Sequence, residues 1–264
     1  MKERVLTAII ALLLFVPIVI YGQWPFQLVI YLLASVSLLE LLKMRNIPII
    51  SWPTTISMLS LWFLLYDSSM LPISFLENYS KLEWLALGVF ILLGYMVLKK
   101  NTFTFDDTGF LATSIVYVGI GFYCLMLARE SGLEYLLYVL VVIWATDTGA
   151  YFVGRSLGKR KLWPNISPKK TVEGFIGGII LACVVAVIFQ FIYAIGDYSV
   201  LSMIGITIIA SIVGQIGDLV ESAIKRTYDV KDSGKILPGH GGILDRFDSL
   251  IFMLPVLYFI GFFN

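Results

Sequence analysis

The sequence predicts an all-α, polytopic integral membrane protein of about nine transmembrane helices with its N-terminus in the cytoplasm. Three observations carry that prediction: an apolar composition poor in charge, a succession of apolar runs, and a one-sided distribution of basic residues. The chain has 264 residues, 59% of them hydrophobic and 14% charged, with a mean hydropathy of +0.89. Soluble domains average roughly 45–50% apolar and about 25% charged residues. A net charge of +1 gives no electrostatic basis for binding nucleic acid. The two cysteines, Cys124 and Cys183, lie in apolar runs and form neither a disulfide framework nor a zinc pattern.

The apolar runs are Val5–Tyr21, Pro25–Leu42, Thr54–Tyr66, Trp84–Leu98, Thr108–Ala128, Leu133–Val153, Gly174–Ile195, Val200–Val220 and Phe247–Phe263. The third and fourth are short for a hydrocarbon core of about 30 Å. The first is followed by Tyr21-Gly22-Gln23-Trp24-Pro25, which is no small-residue cleavage site, so it reads as a retained span. With the N-terminus inside and nine alternating spans, 17 of the 19 Lys and Arg residues fall on the cytoplasmic side, leaving only Lys81 and Arg129 outside. That asymmetry obeys the positive-inside rule.

The N-terminal half has short loops and almost no buried charge. Residues 1–132 are therefore expected to be scaffold. Residues 133–264, with long cytoplasmic loops over 154–173 and 222–246, are expected to carry the chemistry. On a helix, Asp218, Ser222 and Lys225 share a face, being spaced i, i+4 and i+7. Glu221 and Lys225 are i, i+4 and read as an ion pair. A carboxylate as close to an apolar run as Asp218 is costly unless it is paired or bound to a cation. Asp245 and Asp248 are i, i+3 at the start of the last span, where an acid also serves as a helix cap. Carboxylates grouped with basic residues suit a site for Mg²⁺ and a phosphate-bearing nucleotide.

Between these acids, Pro238-Gly239-His240-Gly241-Gly242 is a glycine-rich turn whose backbone N–H groups suit phosphate oxygens. His240 is the single histidine and fits a structural or substrate-contact role better than a general base. Lys169 and Lys170, within Ser167-Pro168-Lys169-Lys170-Thr171-Val172-Glu173-Gly174, precede a helix start. They suit phosphate binding or, equally, ordinary topogenic charge near lipid headgroups. Asp147, in Asp147-Thr148-Gly149-Ala150-Tyr151, is an ionisable group at membrane depth and so a functional candidate.

The stretch Ser222-x-Ile224-Lys225-Arg226-x4-Lys231-Asp232-x-Gly234-x2-Leu237-Pro238-x-His240-Gly241-Gly242-Ile243-x-Asp245-Arg246-Phe247-Asp248 resembles the signature of the phosphatidate cytidylyltransferases, the CDP-diglyceride synthetases. Nearly every constrained position over these 27 residues is filled. The segments around Asp147 and Ser167–Gly174 are similar to further motifs of that family. The N-terminal half is similar only in hydropathy. The resemblance implies transfer of CMP from CTP to phosphatidic acid, giving CDP-diacylglycerol and pyrophosphate. It implies Mg²⁺, with room for a second cation, held by Asp218, Asp245 and Asp248. Lys225, Arg226, Lys231 and Arg246 would bind substrate phosphates. A homodimer in the cell's plasma membrane is implied, its active site facing the cytoplasm. The attacking lipid phosphate is already anionic, so positioning and charge neutralisation matter more than a base. Two other readings compete: a CTP-dependent polyprenol or phytol kinase, and a transporter. A transporter is disfavoured by charges gathered in one corner of one half.

Overall fold

The computed structural model describes residues 13–67, 73–237, 239 and 241–263. Residues 13–21 are helical; the start of the first apolar run, with Lys2 and Arg4, lies outside the described residues. The helices that follow are α1 (Gln23–Met44), α2 (Trp52–Leu65), the single turn α3 (Ser74–Glu77), α4 (Lys81–Leu98), α5 (Phe105–Ser131) and α6 (Leu133–Leu157). After a short hairpin of β1 (Lys161–Trp163) and β2 (Ser167–Thr171) come α7 (Val172–Ile192), α8 (Val200–Thr227) and α9 (Leu244–Phe259).

Local sequence sets the helix boundaries. Ser51 accepts the Thr54 N–H at 3.4 Å to start α2. Ser80 and Glu83 form a reciprocal capping box at α4: the Ser80 N–H reaches Glu83 at 2.6 Å and the Glu83 N–H reaches Ser80 at 3.3 Å, satisfying two otherwise orphan donors. Thr171 caps α7 by accepting the Gly174 N–H at 3.1 Å.

The fold is nearly all-α, and it is that of a membrane protein. Among the described residues six helices, α1 and α4 through α8, are long and apolar enough to cross a bilayer. At about 1.5 Å per residue, the 14-residue α2 rises roughly 21 Å, short of a hydrocarbon core of about 30 Å. The all-α expectation needs one correction: Lys161 pairs with Thr171, and Trp163 with Ser167, in an antiparallel hairpin. The segment is too charged to join a span, and pairing satisfies its backbone instead.

The chain divides into two compact units. One holds the residues up to Met126 together with Asp232–Asp245; the other holds Leu127–Lys231 and Arg246–Asn264. In this first unit α2 packs against α1 and α4, and the rings of Phe63 and Trp84 stack with centroids 4.4 Å apart. Lys81 donates to the carbonyls of Leu64 and Tyr66 at the end of α2, each at 2.6 Å. Its ammonium also lies 3.9 Å from the Tyr123 ring centre.

In the second unit α7 lies between α6 and α8. Gly174, Gly178, Ala182 and Ala186 repeat every four residues along its buried side. A Cβ on Gly178 would sit 2.8 Å from the Thr146 carbonyl oxygen, and one on Gly149 would sit 2.7 Å from that of Gly177. Small residues at such spacing let helix backbones approach where lipid supplies no hydrophobic drive. Hydroxyls bind across the same bundle: Thr146 donates to Ser211 at 2.9 Å, and Tyr138 and Thr207 share a bond at 2.6 Å. Gly217 brings α9 against α8, since a Cβ there would stand 2.8 Å from the Asp248 carbonyl oxygen.

Candidate active site

A cavity of about 330 Å³ opens in the second unit, between α6, the hairpin and the facing ends of α7 and α8. Its polar lining is Asp147, Tyr151 and Arg155 from α6, Lys169, Lys170 and Thr171 from β2, and Gln215 and Asp218 from α8. Asp147, Tyr151 and Arg155 recur every four residues on one face of α6, and Arg155 donates to the Tyr151 hydroxyl at 3.0 Å. Lys170 forms an ion pair with Asp218 at 2.7 Å and reaches the Gln215 carbonyl at 3.5 Å. Gln215 donates to the Phe175 carbonyl at 3.2 Å, tying α8 to the start of α7.

Asp218 is the electrostatic centre of this unit. Ser222, one turn on, donates to its other carboxylate oxygen at 3.3 Å. Asp147 and Asp248 both lie within range of its charge; Lys170 acts on Asp147, and Lys225 on Asp248. Three carboxylates that feel one another repel, and nearby cations relieve that repulsion. Their oxygens are the donors a hard divalent ion takes. Among the described residues no three acidic, His or Cys side chains are gathered closely enough to hold an ion as they stand. The carboxylate oxygens are the donor type that Mg²⁺ takes, while Lys170 supplies the positive charge beside Asp218.

Other expected site residues are placed differently. Lys225 is paired with the fully buried Glu221 one turn back, the ion pair their spacing foretold. Arg226 donates to the Val230 carbonyl at 3.3 Å and, like Lys231 and Arg246, is exposed. His240 lies outside the described residues. Gly239 and Gly241 have φ of 75° and 86°, the left-handed region where glycine is at no disadvantage, and the Leu237 N–H closes the turn on the Gly241 carbonyl at 3.1 Å. The Gly242 N–H points to Asp245 Oδ2 at 2.8 Å. That same oxygen accepts the Ser233 N–H at 2.8 Å and its hydroxyl at 2.9 Å. Asp245 thus organises its own loop.

Sequence reasoning missed Glu40. This α1 side chain is 4% exposed, a buried charge in the half read as scaffold. It accepts the N–H groups of Ile243 and Leu244, each at 2.9 Å, and the Ser233 hydroxyl at 2.9 Å. A lone acid inside Leu38-Leu39-Glu40-Leu41-Leu42 was the available signal.

Compared with known proteins, residues 2–263 match the cytidylyltransferase family. The chain belongs to that family. It is 52% identical to the phosphatidate cytidylyltransferase of Bacillus subtilis strain 168, over 98% of this chain and 97% of that protein. It is 51% identical to the phosphatidate cytidylyltransferase of Staphylococcus haemolyticus strain JCSC1435, over 97% of each. A Staphylococcus saprophyticus phosphatidate cytidylyltransferase is 50% identical over the same shares. The likeness extends through the N-terminal half as well as the signature.

Proposed function

We propose that this membrane enzyme transfers the cytidylyl group of CTP to phosphatidic acid, releasing pyrophosphate. The observation that carries the reading is near-full-length identity of about half to three phosphatidate cytidylyltransferases. The cavity around Asp218 and Lys170 supports it, because lysine, arginine and aspartate side chains line it within an apolar bundle. An oxygen of the lipid phosphate attacks the α-phosphorus of CTP. The new P–O bond forms as the bond to the β-phosphate oxygen breaks, and pyrophosphate departs with that electron pair. No proton need be removed from the nucleophile, so the protein's task is to orient two polyanions and offset their charge. Lys169, Lys170 and Arg155 line the cavity with positive charge for phosphate oxygens. Lys225, Arg226, Lys231 and Arg246 are the further basic residues of the reading.

Asp218, Asp245 and Asp248 would hold Mg²⁺, with a second cation allowed. Such an ion supplies charge neutralisation at the reacting phosphates. The bonds from Ser233 and Gly242 to Asp245 suit an outer shell that orients a ligating carboxylate. Nine spans, a cytoplasmic N-terminus, a plasma-membrane location with the site facing the cytoplasm, and a homodimer complete the proposal.

The deciding assay gives purified protein phosphatidate, Mg²⁺ and CTP radiolabelled at its α-phosphate. Label entering the lipid supports cytidylyl transfer. Label entering only from γ-labelled CTP would mark a kinase and refute the reading. For sidedness, Asp197 and Lys235, both exposed, are replaced singly by Cys in a protein whose Cys124 and Cys183 are Ala. An impermeant thiol reagent should reach them from opposite faces of the membrane; labelling from the same face would refute the nine-span topology. Cross-linking in native membranes should yield a dimer band, and its absence would remove the dimer.

A further inference from the structure

Burying a carboxylate in an apolar helix is costly unless hydrogen bonds or counter-charges replace the lost water. Glu40 meets that requirement in an unusual way. Ser233, Ile243 and Leu244, which donate to it, all come from one distant stretch of chain. The Ile243 N–H reaches Oε1, while the Leu244 N–H and Ser233 hydroxyl reach Oε2, all at 2.9 Å. Ile243 and Leu244 stand at the very start of α9, where backbone N–H groups lack partners within the helix and the dipole favours an anion. Glu40 is thus the cap of α9, supplied by another helix.

The glycines on either side give independent support. A Cβ on Gly242 or Gly234 would collide with the Glu40 carboxylate. Both positions belong to the sequence signature, and at both a side chain would displace Glu40. Ser233 links the parts further, because its hydroxyl lies 2.9 Å from both Glu40 Oε2 and Asp245 Oδ2. Its single proton serves one acid at a time, so the two carboxylates share one small network.

We propose that Glu40 is a positioning residue for the transfer reaction: its buried carboxylate docks the Asp232–Asp245 segment on α1 and fixes Ser233, Gly242 and Asp245 in place. The effect on catalysis rests on the cytidylyltransferase reading; the docking itself does not. This gives the N-terminal helices a part in the site beyond scaffold.

The test uses full-length protein in detergent. Glu40→Gln keeps the volume and one acceptor oxygen but turns an NH₂ toward a donor. It should lower kcat about 10-fold or more with a smaller change in KM, the scale expected when charge-assisted hydrogen bonds are lost. Glu40→Asp, which restores the charge one methylene shorter, should recover part of that loss. Hydrogen exchange of a peptide covering residues 243–244 should be faster in Glu40→Gln, in the absence of any substrate or metal. If Glu40→Gln does not accumulate, Ser233→Ala decides, with a several-fold fall in kcat and faster exchange of the same peptide. Unchanged exchange in the variant measured overturns the docking. Faster exchange with kcat within twofold of the parent overturns the positioning role. A parent protein that transfers no cytidylyl group refutes the function, and the exchange result stands apart from it.

Discussion

The two acidic centres of this chain are built from the same residue types and behave oppositely. In the first unit, Glu40 and Asp245 receive hydrogen bonds from backbone N–H groups and a serine hydroxyl. In the second, Asp147, Asp218 and Asp248 lie within range of one another's charge, and Lys170 and Lys225 offset it. Carboxylates satisfied by fixed N–H donors hold a loop rigid. Carboxylates that repel one another, two of them lining an open cavity, are poised for a ligand that brings positive charge, or for substrates that compete for the lysines. The lysines divide in the same way: Lys81 is spent on carbonyls at a helix end, whereas Lys170 lines a cavity.

Asp218→Asn breaks the second centre most directly. The amide keeps the volume and removes the charge that Lys170 and Ser222 address. Turnover should fall by at least about 100-fold, or about 2.7 kcal/mol of transition-state stabilisation. The protein should still insert and elute as the parent does. Combining it with Asp248→Asn should add little, since groups acting as one unit are not additive. Near-normal CMP transfer by the single variant would remove Asp218 from the site.

Next in size is Lys170→Met, which keeps much of the aliphatic stem and deletes the ammonium. The expected loss is about 10-fold in kcat/KM, expressed mainly in KM for a phosphate-bearing substrate. Steady-state titration of CTP and of phosphatidate in mixed micelles identifies which. A pure kcat effect with both KM values unchanged would argue that Lys170 acts on chemistry and not on binding.

The contrast between these centres was only half visible in the sequence. Asp147 and Asp218 stood out because charge beside apolar runs is costly, Lys169 and Lys170 because they precede a helix start, and the structure gathers all four round one cavity. The ion pair of Glu221 and Lys225 followed from helical spacing alone. Glu40 did not stand out, because its partners lie about 200 positions away and periodicity reports only neighbours within a helix. The hairpin at Lys161–Thr171 was hidden for a related reason: two short, lysine-rich strands carry no alternation to read. The apolar runs located their helices well, but by helix length and composition only six of the described helices are able to span.

The packing that holds the cavity walls is tested by Gly178→Leu. Its side chain must enter where a Cβ already meets the Thr146 carbonyl at 2.8 Å. Overpacking of this kind costs about 1–3 kcal/mol, read as a lower melting temperature in detergent. Gly205→Leu is the control, since a Cβ there meets nothing within 4 Å, and it should melt close to the parent. Equal melting of the two variants would refute the close approach of α6 and α7.

The smallest effect is expected at Lys81, and it sharpens the comparison with Lys170. Lys81 donates to two carbonyls at the C-terminal end of α2, where helix geometry supplies no donor of its own, and it lies over the Tyr123 ring. Replacing it by Met deletes those charge-assisted bonds and keeps most of the stem. The loss should be about 1–2 kcal/mol of stability, the scale of a hydrogen bond from a charged donor. Activity per folded molecule should not change, because Leu64, Tyr66 and Tyr123 all belong to the first unit. The check is a melting curve paired with CMP transfer normalised to folded protein. A Lys81→Met protein as stable as the parent would show that the α2 carbonyls find other donors. A tenfold loss of specific activity would show that Lys81, too, serves the reaction, and would erase the distinction between the two lysines.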